Sequence, residues 1–570
     1  MSNAAFKPSY DVVIIGSGVA GLTSAAILSK AGLSVCVVEK EPHPGGYLAG
    51  FRRKDFRFDT AIHWLNQYGP EGTVTHLFDL LGHDYPKARP QTHIRRYLGD
   101  GFDYLLTNDP DALKHQWQAE FPQDAKGIER FFAAARRLAK AFREYGNVFR
   151  AGETMGFFEG LNSKRKLLKF ALPFIPFIRY DGEAGLRKGL SKFFTSPKLH
   201  RVFAADTELL SCLIPIAWAY NGDFQSPPKG GGQRIPEWLA HVVAAQGSDI
   251  VYQCKVDQIL LQGNTCTGVR LKKRGTEHTV AAKHVIAACD VEMLYERLLP
   301  PDAVPQKIKD RLRAADLYSS SVTVSIALDC PPAQLGFGEE LIHIAGAAET
   351  AHAGITNDAA TSEISILAPS FRDPSLAPEG MGTLTLYMPA DISFRDGWHS
   401  DPDEAGNLRR GEAYKALKTE VAETLINRVA TLVAPELRRH ILFYEVATPV
   451  THWRYTGNRG GTMMGAKPGR ANMQNSVARY RTPVKNLLLG GHWAELGGGV
   501  PIAVKAGANS ALMVLRQESP TAAKALAGYM DEKRTLIDAL KDFAWQAAPD
   551  NWVPKPTPAE KKMQGKMPEQ

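Results

Sequence analysis

Residues 11–46 read DVVIIGSGVAGLTSAAILSKAGLSVCVVEKEPHPGG. Tyr10 to Ile15 is a short apolar run with the character of a buried strand, and Gly16-Ser17-Gly18-Val19-Ala20-Gly21 follows it directly. Leu22 to Ala31 reads as a helix rich in small residues, and Ser34 to Glu39 as a second buried strand. Strand, glycine turn, helix, strand is a βαβ unit, and that setting turns a weak G-x-G-x-x-G motif into a strong one. Gly16 permits the tight turn off the strand, Gly18 lets a pyrophosphate approach the backbone, and Gly21 lets helix and strand pack closely. The helix N-terminus, with Val19 and Ala20 in the loop before it, then offers free N–H groups and partial positive charge to phosphates. Glu39 ends the second strand, where a carboxylate accepts hydrogen bonds from a ribose diol and repels a 2′-phosphate. The reading is a dinucleotide site without NADP, with Lys40 beside the ribose carboxylate.

Moving outward, Gly45-Gly46-Tyr47 follows Glu39, and Phe58-Asp59-Thr60-Ala61 follows that. This arrangement resembles the flavoprotein extension in which a second glycine turn lies against the dinucleotide. Residues 486–509, NLLLGGHWAELGGGVPIAVKAGAN, form a strand, a glycine-rich turn and a helix start at the far end of the chain. Two glycine sites so far apart on one cofactor imply an interrupted domain and point to FAD. Gly230 to Gly232 lies in a Pro-rich turn with no strand before it, so a separate NAD(P)H domain is not expected.

Four blocks make the chain resemble the phytoene desaturase family, which includes carotenoid desaturases, carotenoid cis–trans isomerases and retinol saturases. They are residues 11–46, FRFDTAIHWL, the middle block from PPKGGGQRIPEWLAHVVAAQG to VIAACD, and GGHWAELGGGVPIAV. The resemblance implies that Glu39 holds the adenosine ribose, that Val256 contacts the adenine side through its backbone, and that Gly491, His492, Gly499 and Val500 lie by the flavin. Ala61, Leu496 and Ile502 depart from the family pattern, and His63-Trp64 is closer to the saturase-like branch. The resemblance further implies hydride exchange between flavin N5 and a C–C bond of an isoprenoid. An apolar polyene has no ionic handle, so a long apolar tunnel is expected.

The expected fold is α/β: an interrupted Rossmann-like FAD-binding domain, three-layered with a parallel sheet, plus an α+β substrate domain with a mixed sheet and a helical lid. The boundaries place the FAD-binding domain at 1–85, 225–300 and 481–520. A helical substrate or membrane-facing region covers 86–224, the substrate sheet and helices 301–480, and a terminal helix with an unstructured tail 521–570. The 570 residues require more than one core, and 44% hydrophobic with 22% charged residues is globular composition. The net charge of +8 is mild, and no basic stripe with interleaved aromatics argues for nucleic acid. Six cysteines without a C-x-x-C pair suit a reducing compartment, with Cys36 and Cys289 as small buried hydrophobes. No signal peptide is read at the N-terminus, so the expected location is cytoplasmic. Residues 164–180, KRKLLKFALPFIPFIRY, have a basic front and an apolar centre. They read either as a piece that dips into the cytoplasmic membrane face or as a buried helix–turn–helix.

Two residues are candidates for the chemistry. Glu495 precedes the Gly497-Gly498-Gly499 turn and can carry a proton or steady a transient cation; His63 follows the FDTA strand. Each has a bland alternative, as a turn cap or as a hydrogen-bonded core histidine. No metal-ligand spacing and no nucleophile elbow are present. The electron partner is a quinone, oxygen or another acceptor or donor. Competing readings are an amine or amino-acid oxidase, which needs an aromatic cage by the flavin or a carboxylate-binding arginine such as Arg454 or Arg459, a non-redox isomerase, and a lipid escort. The intact flavin motifs at both ends rank the escort last.

Overall fold

A computed structural model describes residues 6–146, 149–204, 206, 208–346, 357–402, 408–543 and 552–556. The chain crosses repeatedly between two large sheets. It begins in the first sheet with β1 (Ser9–Ile15), α1 (Val19–Lys30) and β2 (Val35–Val38), then enters the second with β3 (His93–Gly99) and β4 (Phe102–Thr107). Helices α2 (Ala125–Tyr145), α3 (Phe157–Ala171), α4 (Leu209–Tyr220) and α5 (Arg234–Ala245) come next. The chain returns to the first sheet with β5 (Asp249–Val251), β6 (Cys254–Gln262), β7 (Thr265–Lys273) and β8 (Thr276–Ala287). It then completes the second with β9 (Ser320–Leu328), β10 (Leu341–Ile344), β11 (Ile364–Leu367), β12 (Gly382–Ala390), α6 (Glu412–Leu432) and β13 (Ile441–Ala447). The last strand β14 (Leu487–Leu489) and helix α7 (Val500–Glu518) rejoin the first sheet.

The first sheet has the order β6-β7-β8-β1-β2-β5, with β14 also on β8. The pairs around β1 and β2, and β14 on β8, are parallel, while β6, β7 and β8 form an antiparallel meander. The four residues of β2 are all buried, as a parallel strand covered on both faces requires. Helix α1 is buried along its whole length between the sheet and helices α5 and α7. That is why its sequence shows small residues rather than an amphipathic stripe. Gly507 of α7 lies so close to α1 that an added Cβ would stand 2.4 Å from the Ala20 carbonyl oxygen.

The second sheet runs β13-β9-β12-β11-β10-β3-β4 and is antiparallel except for β10 on β3. One face packs Val322, Val324, Ile326, Leu384, Leu386 and Met388 on α6. A separate aromatic core joins β3 and β4 to α2 and α4. The hairpin of β3 and β4 therefore extends the substrate sheet from within a stretch whose sequence reads as helical. Residues 164–180 are not a buried helix–turn–helix: no residue of α3 is buried, nor of the short helix Ile175–Ile178. No helix among the described residues is long and apolar enough to cross a membrane. Most of the tail read as unstructured lies outside the described residues.

Candidate active site

The glycine loop is built as its spacing predicts, and each glycine answers a different demand. Gly16 has φ +103° and sits against Ala288 at the end of β8, with 2.9 Å from a would-be Cβ to the Ala288 carbonyl oxygen. Gly21 faces back on the loop, where a Cβ would stand 2.1 Å from the Gly16 carbonyl oxygen. Gly18 is different. It has an ordinary φ of −68°, and no atom of the protein lies within 4 Å of where its Cβ would be. Nothing in the polypeptide demands a glycine there, so the demand comes from an occupant of the space outside it. Helix α1 starts at Val19, three residues earlier than its apolar pattern suggests, so Val19, Ala20 and Gly21 present unpaired helix-start N–H groups. The second glycine turn closes on the first: Gly45 N donates to the Ser17 carbonyl oxygen at 3.0 Å, and a Cβ on Gly46 would meet the Gly18 Cα at 3.3 Å.

Glu39 ends β2 beside this loop. Its Oε2 accepts from Ser17 N and Ser17 Oγ, both at 2.8 Å, and its Oε1 accepts from Glu41 N at 2.9 Å. A carboxylate has about four acceptor positions, so capacity remains for a ribose hydroxyl while the others brace the loop. Val256 lies on the same wall, where the β6–β7 register slips between Val256 and Gln258. A second helix N-terminus, that of α7 capped by Gly499 with φ +88°, opens onto the same space. Neither α1 nor α7 carries an acidic residue in its first turn. The two helix dipoles therefore favour an anion between them, which a pyrophosphate satisfies.

All of this lines one cavity of about 2760 Å³. Ordinary ligand pockets hold roughly 300–1,000 Å³, so the space exceeds what a dinucleotide alone needs. Gly16, Gly18, Val19, Ala20, Glu39, Lys40, Gly45, Gly46, Tyr47, Val256, Gly491, His492, Gly499 and Val500 line it, as do Glu495 and His63. Gly21 does not, and its lack of a side chain answers to packing on Gly16. Lys40 Nζ donates to the Arg454 carbonyl oxygen at 3.3 Å. The Tyr47 hydroxyl donates to the Thr462 carbonyl oxygen and accepts from Asn458 Nδ2 at 2.9 Å, which ties the cofactor side to the substrate side. Cys289, read as a buried core thiol, instead reaches this wall, although burial still pushes its thiol up to about 12.

Glu495 is not a turn cap. Its Oε1 accepts from the Tyr480 hydroxyl at 2.6 Å and its Oε2 lies 3.1 Å from Lys505 Nζ, and all three residues line the cavity. Burial and the adjacent carboxylate hold the Tyr480 hydroxyl well above its usual range. His63 stacks face to face on Tyr387, with ring centroids 4.4 Å apart and planes 3° apart. Burial lowers its pKa to about 4, so the ring is neutral, and its Nδ1 has no partner among the described residues. The His492 ring is likewise neutral, lowered by burial to about 4, with Nε2 unpartnered among those residues.

Tyr480, Lys505 and Asp290 escape a reading by motif. Tyr480 lies outside the quoted stretches and Lys505 sits in the helix start after the glycine turn, and only tertiary contact joins them to Glu495. Asp290 ends the VIAACD block, yet nothing in the block signals that burial raises its carboxyl to about 7 or that Oδ2 is left without a partner among the described residues. Arg459 is committed elsewhere: its guanidinium donates to the carbonyl oxygens of Leu312, Arg313 and Ala315 and pairs with Glu292 at 3.1 Å. Arg454 lies over the Tyr455 ring at 4.2 Å. One His/Cys/Asp group, absent from the spacing, comes together among the described residues: Asp329, Cys330 and His440. His440 Nδ1 lies 2.7 Å from Asp329 Oδ1, so that pair already satisfies itself.

Comparison with known proteins bears on this site. The family model described as flavin containing amine oxidoreductase matches residues 19–515. An all-trans-retinol 13,14-reductase from Danio rerio is 25% identical over 534 residues, covering 86% of this chain and 83% of its own. A chloroplastic prolycopene isomerase from Daucus carota is 25% identical over 556 residues, covering 92% of this chain and 84% of its own. Among solved structures, a cyclohexylamine oxidase from Brevibacterium oxydans superimposes with a TM-score of 0.52 at 16% identity, covering 90% of this chain and all of its own.

Proposed function

This chain belongs to the flavin containing amine oxidoreductase family, and on that premise we propose that it is an FAD-dependent oxidoreductase acting on C–C bonds of an apolar isoprenoid. The observation that carries the reading is the single cavity. It joins the two glycine turns and both helix N-termini to a gallery lined by Trp64, Phe142, Leu161, Leu167, Phe170 and Trp218. The open space at Gly18 fits a pyrophosphate, and the remaining acceptor capacity of Glu39 fits a ribose. FAD, when bound, supplies hydride exchange at N5.

The protein's own residues supply position, dryness and a route for the accompanying proton. In saturation one carbon of the double bond gains hydride and its neighbour gains a proton; in desaturation both leave. Glu495 handles that proton, with Tyr480 and Lys505 holding the carboxylate in place and replenishing it. An amino-acid oxidase needs an arginine free for the substrate carboxylate, and Arg459 is committed to Glu292 and three carbonyl oxygens. The named activities of the reductase and the isomerase leave the direction between saturation, desaturation and isomerisation as part of the proposal.

The location proposed is the cytoplasmic face of a membrane, with α3 and residues 172–180 as the contact. Phe157 and Phe158 are each 82% exposed, and Leu161, Leu167, Leu168, Leu172, Ile175 and Ile178 are exposed beside Lys164, Arg165, Lys166 and Lys169. An apolar ridge flanked by cations suits an anionic lipid surface. Phe157, Leu161, Lys164 and Leu167 also line the cavity, so its mouth opens where lipid would lie. A quinone or oxygen is proposed as the electron partner. The test is Glu495→Gln: it keeps the Tyr480 hydrogen bond but removes the proton acceptor. Flavin should be retained, while its reduction or reoxidation by substrate slows about a hundredfold or more. A wild-type rate removes Glu495 from the mechanism.

A further inference from the structure

In β9 the side chains alternate between two environments. Val322, Val324 and Ile326 enter the core under α6, while Ser321, Thr323 and Ser325 line the cavity on the opposite face. The neighbouring strand does the same. Leu384, Leu386 and Met388 face the core, and Tyr387 faces the cavity, directly paired with Thr323. His63 lies flat on Tyr387, and His452 approaches Ser321 from across the cavity wall. The result is a polar strip in a cavity whose helical side is aromatic and aliphatic.

Tyr387 hydrogen-bonds Ser365, its neighbour on β11, but Ser321, Thr323 and His63 are poorly satisfied by the protein itself. Ser321 Oγ is 3.4 Å from Thr323 Oγ1 and 3.5 Å from His452 Nε2, longer than ordinary hydrogen bonds. His63 Nδ1 is buried without a partner among the described residues. Ser321, Thr323 and Ser325 are themselves buried. A cavity wall that met only hydrocarbon would gain nothing from hydroxyls here, since an unpaired buried polar group costs about 1–3 kcal/mol. The histidines are also neutral, because burial lowers His63 and His452 to about 4. The charges beside the strip are already engaged, Glu445 with Arg53 at 2.7 Å and the Arg372 guanidinium with the carbonyl oxygens of His63 and Glu339, so the strip suits a neutral oxygen rather than a carboxylate.

We infer that the substrate is an oxygenated isoprenoid, whose hydroxyl or carbonyl oxygen hydrogen-bonds the strip at Ser321, Thr323 and His63 while its chain occupies the apolar gallery. This rests on the isoprenoid reading above and narrows it by excluding pure hydrocarbons as the preferred substrate. The test titrates the flavin-loaded protein with two probes. One is all-trans-retinol, and the other is the hydrocarbon in which hydrogen replaces its hydroxyl. Binding is read from perturbation of the flavin absorbance, without turnover. The alcohol should bind about tenfold tighter, the worth of roughly one hydrogen bond. The Ser321→Ala/Thr323→Val double variant should lose that preference while keeping its flavin spectrum. Equal or tighter binding of the hydrocarbon by the unaltered protein overturns the inference. A preference that persists in a flavin-loaded double variant overturns the role of the strip. If neither probe perturbs the flavin, the isoprenoid reading itself fails, which is a different result from equal binding.

Discussion

Gly18 and Gly21 stand three positions apart in one motif and are glycines for unrelated reasons. At Gly21 an added Cβ would collide with the Gly16 carbonyl oxygen at 2.1 Å, so the constraint is internal to the fold. At Gly18 the protein leaves the position open, so the constraint belongs to the bound dinucleotide. Gly21→Ala should therefore lower the melting temperature of the protein stripped of flavin. Gly18→Ala should leave that temperature unchanged and weaken flavin retention. Thermal melts of the stripped proteins and flavin content after dialysis separate the two, and a Gly18→Ala protein that holds flavin at wild-type strength contradicts the assignment. Glu39 shows the same division of labour within one side chain. It braces Ser17 and Glu41 and still has acceptor capacity. The motif predicts the ribose role, but the bracing role is visible only once the loop is folded.

At the level of elements, the βαβ unit and the terminal glycine turn were legible because both rest on local rules: glycine at tight turns, apolar runs for buried strands, small residues where helices approach closely. The helix–loop junction shows the limit of those rules, since α1 begins at Val19 although its apolar pattern starts at Leu22. The hairpin of β3 and β4 carries no local signal, because its sheet partner β10 lies more than two hundred residues away. Glu495 is marked by its place beside a glycine turn, whereas Lys505 and Tyr480 are set against it only by the packing of α7 and the segment before β14. Helix α3 is the element whose environment its sequence left open. Its exposed apolar residues decide against burial and leave a surface that water does not favour. Reversing Lys164, Lys166 and Lys169 to Glu should weaken binding to vesicles of anionic lipid, by about 1 kcal/mol or more for each site. The flavin spectrum should not change. Sedimentation with phosphatidylserine vesicles checks this, and unchanged binding would remove α3 from the contact.

For the whole molecule, the interleaved chain places one cavity between two sheets with different tasks: the first presents helix N-termini to phosphates, the second a polar strip and an apolar lid to a substrate. Burying so many ionisable groups around this space has a cost that depends on pH. Asp290 is the clearest case, its carboxyl raised by burial from 3.8 to about 7. A raised folded pKa means that the protonated form is favoured in the fold. The stability it contributes is thus present below about pH 4 and lost as pH rises through 7. Asp290→Asn keeps a side-chain acceptor for Met293 N and cannot ionise. It should melt higher than the unaltered protein at pH 8 and converge with it near pH 4, as measured on the flavin-free forms. A variant that is less stable at pH 8 than at pH 4 by the same margin as the wild type would show that Asp290 is not the group responsible.

The proposed reaction exchanges hydrogen between FAD and a C–C bond of an isoprenoid. The most direct measurement mixes the flavin-loaded protein, oxidised in one sample and chemically reduced in another, with all-trans-retinol in the absence of oxygen. The flavin absorbance and the mass of the recovered lipid are then read together. The expected result is a lipid changed in mass by two hydrogens in one of the two samples, in proportion to flavin reduced or reoxidised. A lipid of unchanged mass in both samples, with the flavin spectrum unaltered, would contradict it.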